Sequence, residues 1–144
     1  MRTSRFDDSG QTTVLVLGLA LVTFAVAGLA VDGTRAFLHR RTLQNAADSA
    51  ALAAAGEVDR DLYYSSAGRT VKLDPRAAAT TAGRWLQRRG IQASATFGVS
   101  GNSIGVTLTG SLPTTFLGLV GIDQIRVAAS ATAEPETGSP AGEG

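Results

Sequence analysis

The sequence predicts an α+β protein: a long N-terminal transmembrane helix that extends into a small domain of one helix packed on a three-stranded, antiparallel-type sheet. Three observations carry this expectation. Residues 12–31 are an uncharged, proline-free apolar run. Residues 32–55 continue in helix-forming residues without a break. After Gly90 the apolar residues switch to a period of two.

The run TTVLVLGLALVTFAVAGLAV, Thr12 to Val31, holds about 20 residues, which as a helix span roughly 30 Å, the thickness of a bilayer's hydrocarbon core. A helix pairs every backbone amide internally, as lipid requires. A secretory signal is the main alternative, because Arg2 and Arg5 precede the run and Ala25-Val26-Ala27 offers small residues for cleavage. Against it, the apolar run continues past that point to Val31 and the helical pattern continues beyond. A third reading places a processing site at Gly10-Gln11, where the polar flank Asp7-Asp8-Ser9-Gly10 meets the apolar run. Charge does not set the orientation, since Arg2 and Arg5 on one side face Arg35, Arg40 and Arg41 on the other.

From Asp32 the chain reads DGTRAFLHRRTLQNAADSAALAAAG. At helical spacing Leu43, Ala46, Ala47, Ala50 and Ala54 share a face, with Arg41, Asn45 and Asp48 opposite. One helix over 12–55 would be about 66 Å long. Small side chains allow another element to approach closely, either a partner helix or the chain's own domain. Phe37, Leu38 and Leu52 lie away from the alanine face, which suggests two partners for this helix. On the partner reading, a bulky charged residue at Ala47 or Ala50 disrupts association.

Residues 57–74 read as a loop with room for one helical turn. Asp74-Pro75 is an N-cap with proline at the first helical position, and Ala78, Thr81, Ala82, Trp85 and Leu86 follow at helical spacing up to Gly90. Strands are expected over Ile91–Val99, Ser103–Leu112 and Gln124–Ala133. Gly101-Asn102 forms a hairpin turn, and PTTFLGLVG, from Pro113, forms a short apolar helix or turn. The expected organisation is a flank over 1–11, a transmembrane helix over 12–31, its protruding continuation over 32–56, an α+β domain over 57–133 and a disordered tail over 134–144.

No chemistry is evident. The net charge of +1 gives no general pull toward nucleic acid, and the absence of cysteine excludes disulfides and thiolate metal sites. His39 is the single histidine and has no partners for a zinc site or a triad. Asp59 and Asp61 lack the glycine and distal glutamate of a calcium loop. No catalytic residue, cofactor, metal or small-molecule substrate is expected, and the chain is expected not to be an enzyme.

The stretch GQTTVLVLGLALVTFAVAGLAVDGTRAFLHRRTLQNAADSAALAAAG resembles the N-terminal region of TadG-like and TadE-like proteins of Tad (Flp) pilus assembly. Its most specific part is VDGTRAFLHRRTLQNAADSAALAAA, and LPTTFLGLVGIDQIRVAASATAEP is similar to the end of such domains. The resemblance implies a non-enzymatic, single-pass protein of the cytoplasmic membrane or cell surface, with its N-terminus inside and its domain outside. It implies pilin-like subunits and the pilus-assembly machinery as partners, reached by helix–helix association. The candidate residues for that association are Leu43, Ala46, Ala47, Ala50, Ala54, Phe37 and Leu52. A membrane-tethered binding or sensing domain outside any filament is the alternative. Pilin-like members carry a glutamate five residues after the cut; here that position is Leu15, which cannot pair with a neighbour's freed amine. This favours an anchor that is retained.

Overall fold

The structure, a computed structural model, describes residues 8–136. Its first element is a single helix, α1, Asp8–Ala55, of 48 residues and about 72 Å. The helix begins four residues before the expected start of the membrane run. It passes through Gly18, Gly28 and Gly33 without interruption, because an isolated glycine weakens a helix by only about 1 kcal/mol. From Val14 to Val31 its large side chains are exposed. Within that run Thr23 returns its hydroxyl to the carbonyl of Leu19 at 2.8 Å, so this polar atom needs no partner from outside.

Residues 56–74 contain a short helix, α2, Arg60–Ser65, the one turn expected in this loop. Asp59 caps it by accepting from the Leu62 amide at 3.0 Å, which gives this aspartate a local structural task. The loop closes on itself through an isolated bridge between Val58 and Leu73. Leu73 is buried, and its amide donates to Oδ1 of Asn102 in the hairpin turn at 2.9 Å.

Helix α3 follows, Pro75–Arg88. The Asp74 carboxylate accepts from the amides of Arg76 and Ala77, the N-cap arrangement that typically stabilises a helix by about 1 kcal/mol. At the other end Gly90 adopts φ +64. The Gly90 amide donates to the Gln87 carbonyl and the Ile91 amide to that of Leu86, the paired bonds of a Schellman motif. The buried face of α3 is Ala78, Ala82 and Leu86. Trp85 is half-buried, with the Arg89 guanidinium 4.9 Å from its ring centroid.

The sheet comprises β1 Ser94–Ser100, β2 Ser103–Pro113 and β3 Gln124–Ala133. It is antiparallel throughout, in the order β1-β2-β3. The first strand starts three residues later than expected, because Ile91 and Ala93 complete the exit from α3 and pack on the core instead. Ser100 pairs with Ser103, and Gly101, at φ +62, makes the two-residue turn between them. Ile104, Val106, Leu108 and Ala129 are buried on one face of the sheet, while Thr107, Thr109 and Ser130 face outward. Helices α1 and α3 cover the apolar face, and their alanines and leucines join it in one core cluster. The architecture is therefore α+β, as expected.

The expected tail begins at Glu134. Its described part is placed against the domain: Pro135 is buried and Glu136 lines a groove beside Tyr63. The remainder of that expectation, and most of the N-terminal flank, lie outside the described residues.

Candidate functional site

The site is the junction where α1 leaves its apolar run and meets the β2–β3 connection. That connection contains a 3-10 turn, Leu117–Val120, closed by Gly121 at φ +87. A turn of this kind presents several amides that no residue of its own can satisfy. Asp32 of α1 supplies the acceptors. Its Oδ1 accepts from the Thr115 amide at 2.9 Å, and its Oδ2 accepts from the amides of Phe116 and Leu117 at 2.8 Å each. The carboxylate is 1% exposed, the one buried charged side chain among the described residues. Arg35, one helical turn on, donates from Nη1 to Oγ1 of Thr115 at 2.8 Å.

The charge is tolerated because charge-assisted bonds replace its hydration. The Leu117 amide, then the Thr115 amide, hold the Asp32 carboxyl below its ordinary value. Desolvation opposes this, while the Phe116 amide and the Arg35 charge add to the lowering.

Gly28 completes the junction. It sits one turn before Asp32 and is buried. A Cβ at Gly28 would lie 2.5 Å from Cβ and 2.7 Å from Cγ of Phe116. The turn approaches the helix so closely that only glycine fits at this position. A second close approach lies about three turns further along α1. There a Cβ at Gly110 of β2 would fall 2.9 Å from Nε2 of His39 and 3.3 Å from Cδ1 of Leu43. Among the described residues, His39 Nε2 is buried with no hydrogen-bond partner.

The association residues divide into two groups. Leu43, Ala46, Ala47, Ala50 and Ala54 are buried within the chain's own core. Of the two partners open to the alanine face, the structure places the chain's own α3 and sheet there, so this face is not free for another helix. Gln44, beside it, donates to the Ser130 carbonyl of β3 at 2.9 Å. Phe37, Leu38 and Leu52, by contrast, are all exposed, Leu52 at 71%. Gly10 and Gln11 both lie within α1. Tyr63 and Tyr64 pack edge to face at 5.7 Å, beside a groove of about 560 Å³ also lined by Arg60, Arg69 and Glu136.

Sequence reading did not single out Asp32, Gly28 or Phe116. A signal for Asp32 was present. It is the first charge after an apolar run, and a carboxylate at such a place needs a named partner. The partner, however, is a set of backbone amides more than 80 residues away, which no side-chain pattern announces.

Fold and junction together define a class: a small α+β domain carried on one helix long and apolar enough to cross a membrane, latched to it where the apolar run ends. Residues 10–57, one third of the chain, match the family described as putative Flp pilus-assembly TadE/G-like. The matched segment contains the apolar run, Asp32 and the alanine face, and it coincides with the part of the sequence that resembles TadE-like and TadG-like proteins. No curated protein and no solved structure matches the chain.

Proposed function

We propose that the protein is a non-enzymatic, single-pass membrane component of Tad/Flp-type pilus assembly, either an assembly factor or a minor pilin-like subunit. Its N-terminus lies inside the cytoplasmic membrane and its domain outside. The observation that carries this reading is the match of residues 10–57 to a pilus-assembly family. In support, Phe37, Leu38 and Leu52 project from the protruding half of α1 and find no cover in their own domain. The tethered binding or sensing alternative calls for that second face to be covered by the same chain. The protein thus acts by helix association, with α1 recognising pilin-like subunits or the membrane part of the machine through Phe37 and Leu52.

Deletion of the gene is expected to reduce or abolish piliation, and the intact gene to restore it. Complementation with Leu52→Arg or Phe37→Glu is expected to lower copurification of pilin-like partners by roughly tenfold, the weight of an interface anchor. The protein's own level should remain unchanged. Normal piliation after deletion, together with unchanged copurification, would overturn the proposal.

The retained anchor gives a separate expectation. Leu15 removes the charge pairing that processing at Gly10-Gln11 would prepare for. Intact-mass measurement of protein purified from membranes should therefore show no species that begins at Gln11.

A further inference from the structure

The turn after β2 carries an apolar surface that the domain does not use. Leu119 is 83% exposed, Val120 73%, Ile122 48% and Phe116 39%. Residues 112–122, LPTTFLGLVGI, contain no charge. Such a cluster on a small domain calls for a partner.

Two observations identify it. The first is position. Phe116 packs on Gly28, which lies four residues inside the apolar run as counted from Asp32, or about 6 Å along the helix axis. The turn is therefore level with the end of the segment that crosses the bilayer. At that level of α1, Leu29 and Val31 are exposed as well. Interfacial segments seat their apolar faces about 5–10 Å deep at the headgroup boundary, and the Phe116–Gly28 contact holds the turn at that level of α1.

The second is the backbone. Amides entering an apolar layer must be paired within the protein. Three amides of the turn are taken by Asp32. Those of Thr114, Leu119, Gly121 and Ile122 donate to carbonyls of the same loop. The Ile122 carbonyl also accepts from the Thr114 hydroxyl. Seven amides of the turn are thus paired within the protein, which lowers the cost of seating it against lipid.

We propose that the 114–122 turn is a second membrane contact, inserting Leu119, Val120 and Ile122 into the lipid interface beside α1. The inference rests on α1 crossing the bilayer. Two contacts fix what a single helix leaves free, the height and rotation of the domain on the membrane. The Asp32 latch is then the device that makes the loop's backbone compatible with lipid.

The native chain has no cysteine, so single cysteines can be labelled without background. Full-length Leu119→Cys, Val120→Cys, Val22→Cys and Leu52→Cys proteins, all altered at exposed positions, would be spin-labelled. They would be reconstituted in phosphatidylcholine vesicles with a minority of phosphatidylglycerol. Collision with oxygen, which enriches in lipid, would be compared with collision with an aqueous nickel chelate. Labels at 119 and 120 are expected to favour oxygen over the chelate by roughly fivefold more than the label at 52, as an interfacial site should. Leu119 and Val120 labels as water-accessible as Leu52, with Val22 protected, would overturn the insertion and leave the membrane helix standing. A water-accessible Val22 would overturn both. Labels at 119 and 120 shielded from the chelate and from oxygen alike would also overturn it, assigning the patch to a second copy of the chain.

Discussion

Ala47→Arg is expected to unfold the domain, and Leu52→Arg to leave its stability unchanged. Ala47 is 0% exposed within the cluster formed by α1, α3 and the sheet. An arginine there must displace packed neighbours and either bury an unpaired guanidinium or push α1 off the sheet. Overpacking a core and burying an unpaired charge are among the few changes that cost about 4 kcal/mol or more, comparable to much of a small domain's total stability. At Leu52, in water on the opposite face, the same residue should alter stability by no more than about 0.5 kcal/mol. Chemical unfolding of the detergent-solubilised full chain, followed by Trp85 fluorescence, distinguishes the two. A folded Ala47→Arg protein that has only lost its partners would restore the alanine face as an intermolecular surface. An unfolded one confirms that this face is the domain's own core, and places the burden of association on Phe37 and Leu52.

Asp32→Leu is expected to release the 114–122 turn from α1. Three amides lose their acceptors at once, and hydrogen bonds to a charged group are among the stronger ones a protein makes. A fall in the unfolding midpoint on the order of 10 °C is expected for a domain of this size. Hydrogen exchange at the amides of Thr115, Phe116 and Leu117 should accelerate at least roughly tenfold, because their protection depends on one side chain. Asp32→Asn should fall between. An amide oxygen in place of Oδ2 still accepts from Phe116 and Leu117, but its NH₂ then meets the Thr115 amide, donor against donor.

The same bonds set a pH dependence. The folded-state value of Asp32 lies below its ordinary 3.8. Its contribution is thus fully present above about pH 4 and is lost as pH falls through the depressed folded value. Unfolding midpoints should show no effect of this group between about pH 7 and 5, and a decline below about pH 4. In Asp32→Asn this part of the acid decline should be absent. An unchanged acid profile in that variant would show that the carboxylate does not carry the latch.

Local signals read well because they are short-range. The Asp74-Pro75 cap, the Gly90 exit of α3, the Gly101-Asn102 turn and the alternation through Gln124–Ala133 each involve groups within a few residues, and each appears where the pattern places it. The burial of Leu73 did not read, because it depends on Asn102 and Val58 reaching it from elsewhere in the chain. The junction at Asp32 likewise joins residues from opposite ends of the sequence.

By itself the sequence determined that a 20-residue apolar run continues without interruption into an amphipathic helix, and that a helix and three alternating strands follow. Periodicity and end-capping are properties of neighbouring residues, and they act before the chain has any tertiary shape. Only the tertiary structure decided what each face meets. The alanine stripe could have received a partner's helix or its own sheet with equal ease, since small side chains fit any close surface. The chain's own sheet covers it, and tethering in the same chain favours that sheet through its high effective concentration. Asp32 looked like the polar end of a membrane segment until folding brought it the amides of a turn 83 to 85 residues away.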